Sequence, residues 1–161
     1  MNEIDFIVDA YGDMLYRICL IQLRSVSDAE DALQETYLKY IKKHPDFSSE
    51  EHRRAWLIRV AVNQCRDMLR SIRIRTAENI DNVVEKYTDN GGISEEDGTV
   101  LRSLMLLPEK YSSVMLFHFV EGYNYKEIAD VIGKSESAVK MRIKRGRELF
   151  IQIYKKENGI E

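Results

Sequence analysis

Hydrophobic residues recur along this chain at steps of three and four, which is the spacing of amphipathic α-helices. Helices are predicted over residues 5–23, 28–43, 53–75, 100–107 and 109–121, with a further helix pair inside residues 124–150. We find no segment in which polar and apolar residues alternate as they do in a half-buried strand. The chain is therefore predicted to be all-α.

The helix pair in residues 124–150 carries the most specific pattern, an EIA-x-x-x-G-x-S-x-x-x-V-K spacing. Gly133 tolerates the left-handed backbone of a tight interhelical turn, and Ser135 can cap the second helix. The basic residues of that second helix are Lys140, Arg142, Lys144, Arg145 and Arg147. A cationic helix suits the DNA major groove, although a merely solvated helix would show the same charges. The spacing in front of it favours a helix-turn-helix.

Composition indicates a packed protein of a reducing compartment. Hydrophobic residues make up 44% of the 161 residues, which is enough for a core. No apolar run is long enough to cross a bilayer, and the acidic N-terminus is unlike a secretion signal. Cys19 and Cys65 stand singly in apolar patterns, and the three histidines are not spaced as metal ligands. We predict a cytoplasmic protein without a metal, a cofactor or catalytic residues.

Charge is unevenly distributed, although the net charge is only −3. Residues 53–75 hold seven basic side chains and one acid, whereas residues 76–98 hold seven acids and one lysine. The basic stretch and the basic helix near the C-terminus are both candidates for phosphate binding. The acidic stretch has no sustained hydrophobic period, so it is predicted to be a linker, in which residues 77–87 can form a short helix.

The second predicted helix has a polar face that includes one apolar residue. Ser27 can cap this helix, with Glu30 three residues further on completing a capping box. The residues off its apolar side are Asp31, Gln34, Glu35 and Leu38. Either a partner docks on this face or solvent covers it, and the pattern alone leaves both readings open.

The third predicted helix follows a polar loop, His44–Glu51, in which Phe47 is an isolated aromatic residue. The polar residues that recur on one face of the helix are Arg59, Asn63, Arg66 and Arg70. Side chains three and four residues apart are neighbours on a helix, so these residues form one polar and mostly basic face. Trp56 lies on the apolar side, where its spacing favours a core residue over one that stacks on a base.

Three stretches stand out in this order: DAEDALQETYLK in the second helix, WLIRVAVNQCRDMLR in the third, and LLPEKYSSVMLFHFVEGYNYKEIADVIGKSESAVKMRIKRGRELF near the C-terminus. Together they resemble the extracytoplasmic-function sigma factors of bacteria, the small members of the sigma-70 family that hold only conserved regions two and four. The resemblance covers residues 6–71 and 99–154. It implies a subunit that binds core RNA polymerase and directs it to promoters, without chemistry of its own.

For residues 1–75 the resemblance implies sigma region two, which binds core polymerase and recognises and melts the minus-ten promoter element. The residues that it places on the polymerase clamp coiled coil are Asp31, Gln34, Glu35 and Leu38. It places the loop 47–53 where a flipped base of the non-template strand is captured. The minus-ten contacts that it implies are Phe47, Ser48, Arg53, Arg59, Asn63, Arg66 and Arg70. Trp56 falls at a family position that packs the helices.

For residues 99–161 the resemblance implies sigma region four, a winged-helix-like helix-turn-helix domain that reads the minus-thirty-five element. The groove-facing residues that it implies are Lys140, Met141, Arg142, Lys144 and Arg145. Arginine can bond guanine bidentately, which lysine cannot do. Residues 100–107 and 111–120 fall where the family holds the polymerase flap tip.

Between the two regions the resemblance implies a flexible acidic linker, residues 76–98, that threads towards the RNA exit path of polymerase. Its negative charge is consistent with mimicry of RNA. The implied partners are core RNA polymerase, promoter DNA and an anti-sigma factor, which can hold the protein near the membrane without inserting it. No small-molecule substrate is implied.

A stand-alone helix-turn-helix regulator, whose N-terminal half senses or dimerises, is the alternative interpretation. Such a regulator would bind a two-fold-symmetric operator tightly by itself. A sigma factor would instead bind DNA weakly until it joins core polymerase. The two N-terminal stretches have no reason to occur in a sensor domain, so they favour the sigma factor.

Overall fold

The structure, a computed structural model, describes residues 2–71, 79–91 and 94–161. Its α-helices are α1 (Glu3–Leu23), α2 (Val26–Lys43), α3 (Glu50–Arg70), α4 (Ile80–Gly91), α5 (Glu95–Met105), α6 (Glu109–Met115), α7 (Tyr125–Ile132) and α8 (Glu136–Glu157), with a π-helical turn, Leu116–Val120, after α6. No strand, and therefore no β wing, occurs in the described ranges. The chain divides into two compact units, Met1–Thr76 and Ala77–Glu161. The predicted all-α fold with a C-terminal helix-turn-helix is confirmed.

The first unit is a three-helix bundle in which α1, α2 and α3 each pack on the other two. Its fully buried side chains include Ile7, Leu15 and Ile18 of α1, Ala29 and Ala32 of α2, and Leu57, Ile58 and Ala61 of α3. Burial of each large aliphatic side chain contributes about 1.5–3 kcal/mol, which offsets the entropy lost on folding. Cys19 and Cys65 are buried in this core as thiols.

Serine caps fix where two helices of this bundle begin. Ser25, and not the predicted Ser27, caps α2, because its hydroxyl accepts from the Asp28 amide at 3.2 Å while Ser27 already lies in the first turn. Ser49 caps α3, so that helix begins before the predicted Arg53. At its other end α3 ends at Arg70, and residues 72–75 of the predicted helix lie outside the described residues.

The second unit places the helix-turn-helix on a small helical core. Gly133 ends α7 with φ 70°, and Ser135 caps α8 by accepting from the Ala138 amide, as predicted. Helix α8 also packs closely on α6 at Gly146, where a Cβ would lie 3.2 Å from Met115 Cγ. This contact, together with buried Val139 and Ile143 on the same side, leaves the opposite face of α8 in solvent.

The acidic segment 76–98, predicted to be a flexible linker in which residues 77–87 can form a short helix, is helical over most of its described length. Residues 80–91 form α4, and α5 begins at Glu95, five residues before the predicted start. Helix α4 packs on α5, with Val83 fully buried. Gly98 allows the close approach, because a Cβ there would lie 3.1 Å from Thr88 Cγ2.

Arg102 links the acidic side of α4 to the end of α8 within the second unit. Arg102 Nε donates to Asp81 Oδ1 at 2.6 Å, and its Nη1 donates to Glu157 near the end of α8. The hydrogen bond to Asp81 raises the pKa of Arg102. Part of the negative charge of this segment is therefore neutralised within the fold.

Candidate polymerase-docking and DNA-binding surfaces

A groove between α2 and α3 brings the four predicted docking residues together. It is open, has a volume of about 460 Å³, and is lined by Asp31, Gln34, Glu35 and Leu38 of α2 and by Gln64, Asp67, Met68 and Ser71 from the end of α3. Leu38 is 48% exposed and offers an apolar contact beside the carboxylates. An acidic groove with an exposed leucine suits a partner that carries basic and apolar side chains. We call it the docking groove.

The sequence pattern predicts only the α2 side of the docking groove and gives no sign of its α3 side. Lys39 Nζ donates to Gln64 Oε1 at 2.6 Å and so ties the two helices together beside the groove. Asp67 adds a third carboxylate to the lining. Gln64 is 25 positions from Lys39 in the chain, and nothing in the sequence marks the residues of α3 as neighbours of α2.

Arg53, a predicted minus-ten contact, is engaged by the first unit itself. Its side chain is only 20% exposed and lies 3.1 Å from Glu50 and 3.8 Å from Glu3. The guanidinium carbon also lies 5.6 Å from the ring centre of Phe47 and 5.9 Å from that of Phe6. Arg53 therefore joins the start of α1, the loop after α2 and the start of α3.

Phe47, predicted to be an isolated aromatic residue of the loop, is half-buried in an aromatic cluster. Its ring stacks on Tyr40 at 6.1 Å and meets Trp56 edge-on at 5.9 Å. Trp56 meets Tyr40 as well, so it packs the helices, as its spacing predicted. The neighbouring Ser48 is exposed, and its amide donates to His52 Nδ1 at 3.2 Å.

The remaining minus-ten candidates form one strip along α3. Arg59, Asn63 and Arg70 are exposed and Arg66 is half-buried. At 1.5 Å per residue the strip is about 16 Å long, which is comparable with several nucleotides of an extended strand. Arg70 lies 4.0 Å from Asp67, a loose pairing between two exposed groups that leaves its charge available.

Three tyrosines of the first unit have strongly raised pKa values. Burial, and to a smaller extent a hydrogen bond to Glu50, raises the pKa of Tyr11 to about 12. Burial, and to a smaller extent a hydrogen bond to Glu3, raises the pKa of Tyr40 to about 12. Burial also raises the pKa of Tyr37 to about 12. These phenols stay protonated at neutral pH and contribute no charge to either surface. The hydroxyls of Tyr11 and Tyr40 donate to the carboxylates of Glu50 and Glu3.

In the second unit, four of the five predicted minus-thirty-five residues are exposed on α8. Met141 is 67% exposed, and Lys140, Lys144 and Arg145 are also in solvent. Arg142 is half-buried at the edge of the face. The arrangement is that of a helix whose outer side is free to enter a DNA groove.

An apolar groove lies on the second unit. It has a volume of about 460 Å³ and is lined by Val100, Leu104, Met115, Phe119, Val120, Arg147, Phe150 and Ile151. Phe119 is 52% exposed and Val120 is 48% exposed. These residues include parts of both helical stretches for which a contact with the polymerase flap tip is expected.

Neither a metal site nor a membrane span is found in the described part of the chain. Within the described ranges, no three His, Cys, Asp or Glu residues come together as metal ligands. No helix there has the length and the apolar run that crossing a bilayer requires.

Comparison with protein families gives two matches in the order that the sequence predicted. The family profile for sigma-70 region 2 matches residues 7–74, and the profile for sigma-70 region 4 matches residues 98–150. Among related proteins, the ECF RNA polymerase sigma factor SigW of Bacillus subtilis is 27% identical over 158 residues, covering 88% of this chain and 83% of SigW. The ECF RNA polymerase sigma factor SigM of Mycobacterium tuberculosis is 29% identical over 133 residues, covering 83% of this chain and 67% of SigM.

Solved structures with a similar fold were also found. The sigma factor RpoE from Bartonella quintana, in complex with the anti-sigma factor NepR, gives a TM-score of 0.71 at 16% identity, covering 96% of this chain and 98% of RpoE. CnrH, in complex with the cytosolic domain of CnrY, gives a TM-score of 0.66 at 23% identity, covering 93% of this chain and 86% of CnrH. These identities establish likeness of fold.

Proposed function

The chain belongs to the extracytoplasmic-function sigma factors of the sigma-70 family, and from this we propose that it binds core RNA polymerase and directs it to specific promoters. Sigma factors are transcription initiation factors that catalyse no reaction, and we propose the same for this chain. It would act in the cytoplasm, where core polymerase is found.

The docking groove is the observation that carries the proposal. Four residues expected from the family resemblance to contact the polymerase clamp coiled coil line this one groove, Leu38 among them. The groove is acidic and open, with an apolar contact available, as a docking site for a basic amphipathic partner requires. We propose that the clamp coiled coil binds here.

The DNA-binding part of the proposal is supported by two cationic helix faces. The strip on α3 would contact the separated non-template strand of the minus-ten element, where Asn63 can both donate to and accept from a base edge. The exposed face of α8 would enter the major groove of the minus-thirty-five element. The Phe47–Arg53 segment would receive the flipped base. Arg53 would hold this segment in position through its contacts within the first unit.

Two further contacts belong to the same proposal. The apolar groove of the second unit would receive the polymerase flap tip, because exposed Phe119 and Val120 offer apolar area that a single helix can cover. An anti-sigma factor would inhibit the protein by covering these polymerase-binding surfaces. Its competition with core polymerase for the docking groove would make the two complexes mutually exclusive.

Core binding by the Leu38→Ser variant tests the proposal. Truncating an interface leucine to serine should weaken binding of the protein to core polymerase by about tenfold or more, as measured by fluorescence titration. Ile41→Ser is the matched control, since Ile41 lies on the same helix, is 53% exposed, and does not line the groove. This control should bind core like the unaltered protein.

Two results would contradict the proposal. One is an unaltered protein that fails to bind core polymerase at all. The other is tight binding of the isolated protein to a two-fold-symmetric DNA site, which would favour the stand-alone regulator instead. If Leu38→Ser and Ile41→Ser weaken core binding equally, the docking groove is not the polymerase-binding surface, although the proposed function still stands.

A further inference from the structure

A second groove in the helix-turn-helix unit lies along the side of α8 that faces α7. It has a volume of about 360 Å³ and is lined by Tyr125, Lys140, Ile143, Lys144, Arg147, Glu148 and Ile151. Three of these residues are cations, at positions i, i+4 and i+7 of α8, so they point to one side of the helix. We call it the cationic groove.

Aromatic rings hold two of the three cations in place. Lys140 Nζ lies 5.7 Å from the ring centre of Tyr125, and the Arg147 guanidinium carbon lies 5.9 Å from that of Phe119. The one acid of the lining, Glu148, lies 3.5 Å from Arg145, which is outside the groove. The groove therefore keeps a net positive charge, carried by side chains whose freedom is already reduced.

Met141 lies on a different part of the α8 surface. It is one residue after Lys140, which turns it about 100° around the helix, and it does not line the cationic groove. A helix about 10–12 Å wide fills a major groove of similar width, so its outermost residues meet base edges while its flanks face the phosphates. The exposed Met141 is outermost, and the cationic groove is a flank.

We propose that the cationic groove seats a phosphodiester group of the promoter DNA backbone, through Lys140, Lys144 and Arg147, and that Met141 reads base edges by apolar contact. This inference rests on the proposed function and gives different roles to Met141 and to the two lysines among the predicted minus-thirty-five residues. Lysine is a compact point charge without the planar fork that recognises a guanine, so it fixes affinity and register on a phosphate. A methionine can contact the methyl group of thymine.

Salt dependence separates these roles. The full-length protein, assembled with core polymerase, is titrated with duplexes carrying either a selected minus-thirty-five element or a scrambled one, at several salt concentrations. For Lys144→Gln, affinity for both duplexes should fall by the same factor, and the slope of log K against log salt should shrink by about 0.9. For Met141→Ala, the slope should stay unchanged, and the selected-to-scrambled affinity ratio should fall by about fivefold.

Lys155→Gln is the matched control, because it removes the same charge from an exposed position of the same helix, three turns beyond Lys144. It should leave the slope and the affinity ratio unchanged. The inference is overturned if Lys144→Gln lowers the affinity ratio without changing the slope, or if Lys155→Gln reproduces its effect. Either result would leave the proposed function intact, provided that the unaltered protein still directs transcription by core polymerase. Failure of the unaltered protein to bind core would remove both.

Discussion

At the scale of single residues, Arg53 links three segments of the first unit through two carboxylates and two aromatic rings. Its contacts reach Glu3 and Phe6 at the chain start, and Phe47 in the loop that we propose for base capture. A loop held in this way is ordered before DNA arrives, so base capture does not have to supply the entropy cost of ordering it.

Replacing Arg53 by methionine tests this internal role. The change keeps an unbranched apolar stem and removes the guanidinium charge, so two cation–π contacts and two ion pairs are lost. We expect the free energy of unfolding to fall by about 1–3 kcal/mol, as measured by urea denaturation. Arg59→Met, at an exposed position of the same helix, should change it by less than about 0.5 kcal/mol. Equal effects of the two substitutions would contradict the role assigned to Arg53.

Raised tyrosine pKa values predict how the first unit responds to alkali. Tyr11, Tyr37 and Tyr40 have pKa values near 12 in the folded protein, compared with 10 for an unperturbed tyrosine. Between these values the unfolded chain releases protons that the folded chain keeps. The free energy of unfolding should therefore be unaffected below pH 10 and fall as pH rises from about 10 to 12. In an alkaline titration, part of the tyrosinate absorbance should develop only near pH 12, and Tyr40→Phe should reduce that part. Development of all the absorbance in a single step near pH 10 would contradict the raised pKa values.

The proposed base-contacting residues predict two separable defects in initiation. Asn63→Ala removes a group that can pair with a base edge, so we expect slower promoter opening with little change in duplex binding. Arg142→Ala should weaken recognition of the upstream element, by about 1–3 kcal/mol if it bonds a guanine. Permanganate footprinting measures the first effect, and titration of holoenzyme with minus-thirty-five duplexes measures the second. Unchanged initiation by both variants would refute these site assignments.

At the scale of secondary-structure elements, the sequence predicted the helices and the turn between α7 and α8, placed the cap of α2 two residues too late, and did not supply the contacts between elements. Gly133 and Ser135 define the turn between α7 and α8, because backbone freedom and a capping hydroxyl act within a few residues. The sequence also identified the α2 face of the docking groove. It could not supply the α3 side, nor the internal engagement of Arg53, since both depend on contacts between residues 25 to 50 positions apart.

The acidic segment is the element that the sequence described least well. Its hydrophobic period is short and its charge is high, which is the composition of a linker. Helix α4 nevertheless forms, because its apolar side packs on α5 and Arg102 pairs with Asp81. Glu85 and Asp89 remain exposed, so the suggestion that this segment mimics RNA on polymerase stays a prediction.

Arg102→Gln should loosen α4 without unfolding α8. The ion pairs of Arg102 are partly exposed, so the loss should be about 1 kcal/mol, equivalent to roughly fivefold faster amide hydrogen exchange in residues 80–91. Arg145→Gln, which removes an exposed pair within α8, is the control and should leave α4 exchange unchanged. If amide exchange in α4 is as fast in the unaltered protein as in Arg102→Gln, then Arg102 does not hold this helix.

At the scale of the whole molecule, the proposed activity requires both units together. Each presents only a few cations to DNA, and their effect is opposed by the acidic residues that make the net charge −3. Weak binding by each unit alone is therefore expected. Once both are bound to polymerase, each acts at high effective concentration on its own promoter element, and the combined affinity becomes specific.

The most direct test of this central claim is run-off transcription by core RNA polymerase over a library of randomised promoters, with and without the protein. We expect transcripts only when the protein is present. We also expect the selected templates to share two elements at a fixed spacing, one for each unit. The absence of protein-dependent transcripts, or enrichment of a single element that one unit alone can read, would contradict the claim.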